Sequence, residues 1–328
     1  MPLSLTSAVD TVLDKSLVLG YSSIGPALRR HWWPADPAPD ALVGRHVVVT
    51  GASGGLGEAA AAGIARLGAT VHLLGRTASR LEDAADRIRR EQPDADLLPE
   101  VCDVSDLDAV RTYAADLRQR VPVLHGIVHN AGVMPPERTE SAQGHESTLA
   151  THVLGPLLMT ELLRPALAAS EAARVVLVAS GGMYSAPLDA SIGDDVEYER
   201  GRYEGIRAYA RTKRIQVTLA ELLAARYAGD GITVHSMHPG WADTPGVTDA
   251  MPRFATVVGP ILRTAASGAD TIVWLTGADA ATESSGRFWC DRAPRPTYYL
   301  PGRADDPEVR RAVWTYVCAA TGVEQTPA

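Results

Sequence analysis

The chain has 328 residues, 46% of them hydrophobic, and a formal net charge of -8. That length and apolar content suit one large α/β domain or two small ones with a full core. The acidic balance argues against a general nucleic-acid binder, which needs a basic stripe to neutralise phosphates. The cysteines, Cys102, Cys290 and Cys318, have no metal-ligand spacing, so neither a zinc site nor a disulfide framework is expected.

Residues 1–44 read as an N-terminal helical extension ending in the proline-rich loop 34–39. The opening MPLSLTSAVDTVLDK lacks the basic-then-apolar order of a signal peptide. No apolar run approaches the roughly 20 residues of a membrane span. Together these predict a reducing, cytoplasmic setting. Within the extension, residues 17–33 mix Leu17, Val18, Leu19, Tyr21, Ile24, Leu28, Trp32 and Trp33 with Arg29 and Arg30. Such a stretch suits a membrane surface; packing on the core or across a dimer is the reading its acidic context favours.

From residue 45 to about 300, short apolar runs alternate with helical patterns. Strands are expected at 46–50, 70–74, 96–101, 124–129, 174–179, 232–237 and 286–290. Helices are expected at 55–68, 79–91, 106–119, 144–169, 205–228 and 265–276. Strands apolar on both faces and alternating with helices predict a doubly wound, Rossmann-type parallel sheet of about seven strands. Residues 301–328 form a C-terminal helical tail, its helix starting at Asp306-Pro307 with Asp as cap and Pro in the first turn.

The first strand runs into Gly51-Ala52-Ser53-Gly54-Gly55-Leu56-Gly57 and then a helix. A glycine turn there lets the backbone approach a pyrophosphate, and the helix start offers that anion free N–H groups. A tight turn with no ligand is the plainer alternative. The second strand ends in Gly75-Arg76-Thr77, with no carboxylate for a ribose 2′-hydroxyl. Arg76 can grip a 2′-phosphate, or it is a surface arginine. This favours NADP(H), with NAD(H) as an alternative. Asp103, followed by Val104, is placed to accept from an adenine amino group or to cap the next helix. Asn130-Ala131-Gly132 ends the fourth strand. There Gly132 permits close approach to a ribose, and Asn130 lines the site, bridges strands, or does both.

Tyr209 and Lys213 are four apart on an expected helix and share a face. A nearby ammonium lowers a phenol's pKa, and such a phenol can exchange a proton with a carbonyl or alcohol as hydride moves. Ser180, ending the fifth strand, can hydrogen-bond the same oxygen. Trp241, Met237, Met183 and Tyr184 make either an apolar substrate pocket, with a lid around 241–260, or part of the core.

The motifs TGASGGLG, NAG, Ser180, YARTK and HPG in this order resemble the short-chain dehydrogenase/reductase family over roughly residues 43–290. Within it, THVLGP, SGGM, MHPGWADTPGV and SGRFWCDR resemble the member-twelve group. The resemblance implies Tyr209 as acid/base, Ser180 as substrate-orienting residue, and Lys213 holding the nicotinamide ribose. It also places Pro239, Gly240 and Thr244 against the cofactor. His152 stands where the family has an asparagine that supports a proton relay through water; imidazole can substitute, or it is a packed histidine. The implied activity is oxidation or reduction of a small or lipophilic alcohol/carbonyl pair. A cofactor-binding regulatory scaffold without turnover is the alternative. The family often pairs its two long helices into a dimer, so a homo-oligomer is compatible with the chain.

Overall fold

The computed structural model describes residues 5–243, 259–300, 302 and 304–325. Among them, eight strands form one sheet in the order β3-β2-β1-β4-β5-β6-β7-β8. These are β1 (His46–Thr50), β2 (Thr70–Gly75), β3 (Leu97–Val101), β4 (Gly126–His129), β5 (Ala173–Val178), β6 (Ile232–Met237), β7 (Phe288–Cys290) and β8 (Ala293–Pro294). The first seven are parallel; β8 returns antiparallel to β7. The expected count of about seven thus gains a two-residue strand, too short to leave a periodic signal.

Alternate residues of each strand enter opposite cores. Val48, Ile127, Val175 and Leu177 face one cluster, while Val47, Val49, Val176 and Val178 face the other. This is the two-residue period of a sheet buried on both sides. The three N-terminal helices are α1 (Leu5–Lys15), α2 (Leu17–Tyr21) and α3 (Ile24–Arg29). On one face of the sheet lie α4 (Gly55–Arg66) and α5 (Ala78–Glu91). On the other lies α6 (Leu107–Arg120), capped by Asp106. The expected helix 144–169 is split: α7 (Ser147–Leu149) passes through a π-helical turn, Ala150–Leu154, into α8 (Gly155–Ala168). Nothing in a 3.6-residue hydrophobic period separates a π turn from its α neighbours. After the short α9 (Ala190–Gly193) comes the long α10 (Gly205–Arg226), followed by α11 (Ala265–Gly277) and α12 (Pro307–Thr321). Asp306 caps α12 through the N–H of Glu308, with Pro307 in its first turn, as the sequence predicts.

The N-terminal helices pack one face on the rest of the molecule and leave Val12, Val18, Leu19, Ile24 and Leu28 exposed on the other. Tyr21, Ser22 and Arg29 are buried. Arg29, which a membrane-surface reading would set among lipid headgroups, is ion-paired inside the protein with Asp10 and Asp291. Among the described residues no helix is long and apolar enough to cross a membrane. The strand order reverses at β1, between β2 and β4, so a crevice opens beyond the carboxyl ends of β1 and β4.

Candidate active site

That crevice is a cavity of about 610 Å³. One end is built by the turn after β1. Gly51 has a left-handed φ of 66°, and the chain then enters α4 with Gly54 as its N-terminal flank. Gly57 stands behind the turn rather than on the cavity. A Cβ there would lie 2.2 Å from the Gly51 oxygen and 2.5 Å from Asn130 Nδ2. Gly57 therefore lets α4 meet the turn, while Gly51, Ser53, Gly54, Gly55 and Leu56 line the cavity. This end fits a dinucleotide on structural grounds: a glycine cradle a side chain would fill, and a helix start aimed at it.

Asn130 does both of the things its sequence position allows. Its Nδ2 donates to the Thr50 carbonyl at 3.0 Å, tying β4 to β1, and it lines the cavity with Ala131 and Gly132. Asp103 does not cap α6; Asp106 does. Asp103 Oδ1 instead accepts from the Ser105 N–H and hydroxyl, at 2.9 and 2.7 Å, and the residue lines the cavity beside Val104. Arg76 lies there as well. So does Arg80, one turn into α5, which the sequence reading missed. The two arginines are four positions apart, and that spacing was the signal available.

The other end of the cavity carries Ser180, Tyr209 and Lys213. Ser180 caps a 3-10 turn, Gly181–Ser185, by accepting from the Gly182 N–H at 3.1 Å. Its own O–H can still donate. Lys213 Nζ donates to the Val178 carbonyl at 2.8 Å and to Gln216 Oε1 at 2.9 Å. Burial lowers its ammonium to about 7. Nζ sits 5.5 Å from the centre of the Tyr209 ring.

The expected lowering of the Tyr209 pKa by Lys213 is not what this geometry produces. Burial raises the phenol above its ordinary value, and the opposing influence is a hydrogen bond with Ser180. Lys213 spends two donors on Val178 and Gln216 and stands over the ring, not at the hydroxyl.

His152 is wholly buried on the π turn and does not line the cavity. Nε2 accepts from the Val133 N–H at 3.0 Å, and Nδ1 meets Thr212 Oγ1 at 2.8 Å. Accepting at Nε2 assigns the neutral Nδ1–H tautomer. Burial, then the charge of Lys213, holds the ring neutral, well below its usual pKa. This is the packed histidine of the two readings, with both nitrogens engaged.

Pro239 and Gly240 line the cavity; Thr244 lies outside the described residues, as does most of the expected lid. Of the four residues expected for an apolar pocket, only Trp241 reaches the cavity. Met237 and Met183 are fully buried core residues, and Tyr184 packs against the cluster that includes Met183. Alternation along β6 turns Met237 into the sheet's core. Tyr21 and Ile206 line the cavity unforeseen, since no local pattern links residue 21 to a strand end 160 residues on.

The family model described as short chain dehydrogenase matches residues 45–188. Dehydrogenase/reductase SDR family member 12 of Homo sapiens is 40% identical over 260 residues, 78% of this chain and 80% of that protein. Retinol dehydrogenase 12 of Homo sapiens is 30% identical over 284 residues, 86% of this chain and 88% of that protein. A crystal structure from Escherichia coli CFT073, complexed with NADPH, is 27% identical with a TM-score of 0.62, covering 78% of this chain and 100% of that one.

Proposed function

The chain belongs to the short-chain dehydrogenase/reductase family of NAD(P)-dependent oxidoreductases, and from that premise we propose that it reduces lipophilic carbonyl compounds with NADP(H), Tyr209 supplying the proton. The observation that carries the reading is that one cavity is bounded at one end by the glycine turn and at the other by Ser180, Tyr209 and Lys213. When bound, a reduced nicotinamide would supply the hydride that the carbonyl carbon takes up. Gly51, Ser53, Gly54, Gly55 and Leu56 would hold its pyrophosphate. Asp103, Val104, Asn130, Ala131 and Gly132 would flank the adenine and riboses, with Pro239 and Gly240 beside the nicotinamide.

A phenol is already protonated at neutral pH, and burial raises that of Tyr209 further. It can then pass its O–H proton to the carbonyl oxygen as negative charge develops there. The Ser180 hydroxyl donates to the same oxygen and orients it. Lys213 would steady the ribose, and the Ser180 hydrogen bond, the influence that opposes burial at Tyr209, would favour the phenolate left behind. His152 acts as a positioning residue, holding the Val133 N–H and the Thr212 hydroxyl beneath Gly132. The preference for NADP(H) rests on Arg76 and Arg80, two guanidinium groups with no carboxylate at the end of β2. The lipophilic class rests on Trp241, Tyr21 and Ile206 around the cavity and on the retinol dehydrogenase among the relatives.

The C-terminal helix bears on the pairing of the two long helices that the family resemblance allows. Val309, Val313 and Val317 of α12 pack into the same core cluster as residues of α8 and α10. If α12 blocks that pairing, light scattering should find a monomer.

The test is calorimetric titration with NADPH and with NADH, followed by a carbonyl panel. Tighter NADPH binding with turnover supports the proposal. Preference for NADH overturns the role of the arginines. NADPH binding without turnover on any carbonyl moves the regulatory-scaffold reading to the front.

A further inference from the structure

We infer that the N-terminal segment, residues 5–29, is a wall of the substrate compartment, and that Tyr21 is a specificity-determining residue selecting flat, ring-bearing carbonyl substrates. This rests on the oxidoreductase reading of the cavity.

Tyr21, the last residue of α2, lines the cavity with Ser180, Gly181 and Trp241. It is 4% exposed. Its ring lies directly over the backbone that follows Ser180: a Cβ on Gly181 would come within 2.4 Å of Tyr21 Cε2. The ring meets Trp241 edge to face at 6.1 Å and His238 at 4.6 Å. Whatever group sits beyond the oxygen held by Ser180 thus meets an aromatic boundary contributed from the N-terminal segment. Ring edges and faces of this kind favour flat apolar groups over small polar ones.

The backbone joins the wall to the motif region. The Tyr21 carbonyl accepts from the Trp241 N–H at 2.7 Å and from Arg263 Nε at 2.9 Å. The Ser23 N–H donates to the Ile261 carbonyl at 2.9 Å. Residues 241 and 261–263, on both sides of the stretch 244–258, are therefore registered against α2.

A buried ion cluster keeps the wall in place. Arg263 grips both Asp291 oxygens at 2.6 and 3.0 Å, and Arg29 pairs with the same carboxylate at 2.7 Å. Asp10, from α1, bridges Arg29 and Arg295 at 2.7 and 2.6 Å. Arg29 and Arg263 are each 1% exposed and Asp291 3%. Asp291 and Arg292 form the hairpin turn between β7 and β8 with φ of 51° and 54°. Residues other than glycine, asparagine and aspartate seldom adopt that region. Removing residues 5–29 would leave Arg295 without its carboxylate partners Asp10 and Asp14 and take Arg29 from Asp291, and a buried charge that loses its partner is costly. A rigid wall discriminates by shape; a loose tail could not.

The test uses Tyr21→Ala and, should that variant not fold, the bulkier Tyr21→Leu, each checked by circular dichroism. Propanal, benzaldehyde and 2-naphthaldehyde are reduced with NADPH. The expected result is a fall of about tenfold or more in the ratio of kcat/KM for 2-naphthaldehyde over propanal, carried by KM, with NADPH affinity held within about threefold; a rise overturns the inference. An unchanged ratio, or a parallel fall for every aldehyde and for NADPH, overturns the inference. If the native protein reduces none of them, the reductase proposal fails, and the wall is read instead from 2-naphthaldehyde binding to the NADP-loaded protein. A Kd that moves about tenfold between native protein and variant supports it; equal or undetectable binding in both overturns it.

Discussion

The two ends of the cavity are built in opposite ways. At the glycine-turn end the contributing residues follow one another along β1, β2, β3 and β4, and each is held by neighbours in sequence or in the next strand. Asn130 on Thr50 and Asp103 on Ser105 are examples. At the Ser180 end, residue 21 meets residues 181, 238, 241 and 263, and Arg29 meets Asp291. Local chemistry makes a binding turn; only long-range packing makes a shaped compartment.

The largest expected effect sharpens the contrast inside the site itself. Tyr209→Phe should cut kcat by about 10²–10⁴-fold while NADPH binding, measured by calorimetry, stays close to native. Unchanged turnover would remove Tyr209 from the mechanism.

Next in size is Asp291→Ala. Burial alone would raise that carboxyl, yet Arg263 and Arg29 hold it below its usual range. Deleting it leaves two buried guanidinium groups facing each other, a loss of about 3–5 kcal/mol, measurable by urea unfolding. If stability barely moves, the N-terminal segment is not anchored as described.

Gly57→Ala tests the glycine-turn end. The added methyl meets the Gly51 oxygen and Asn130, neither of which can yield cheaply. A cost of about 1–3 kcal/mol is expected, read as weaker NADPH binding and a lower Tm. Arg76→Ala should narrow the NADPH-over-NADH ratio by about tenfold, the value of one charge-assisted hydrogen bond.

A further effect, spread over several pH units, is in pH. Lys213, lowered by burial to about 7, binds its proton less tightly folded than unfolded. Between about pH 7 and the ordinary lysine value near 10.4, the unfolded chain therefore holds more protons, and stability should rise with pH. Lys213→Met should flatten that slope. On the acid side His129 and His238 are held neutral by burial, to about 3. Their contribution should be lost as pH falls from 6.5 towards 3, in urea midpoints taken across that range.

Much of this was legible in the chain. Apolar strands, the glycine turn, the NAG strand end and the Tyr209–Lys213 spacing each carry a short-range signature. Asp306 and Pro307 announced α12 in the same way. The direction of the Tyr209 shift was not legible. Spacing puts Lys213 on the same helix face, but whether its ammonium reaches the hydroxyl depends on Val178 and Gln216 competing for it. His152 likewise offered two roles, and Val133 and Thr212 decide between them by taking both nitrogens. Met237 and Met183 were read by proximity to motifs, whereas burial is set by which way each side chain turns.

By itself, then, the sequence determined the doubly wound sheet and the location of its binding turn, because two-residue and 3.6-residue periods and glycine conformations act over a few neighbours. The tertiary structure alone decided that Tyr21 lines the cavity, that Arg29 is an interior cation, and that burial raises the Tyr209 phenol. Each depends on which distant groups exclude water from the same small volume, and no local pattern encodes that.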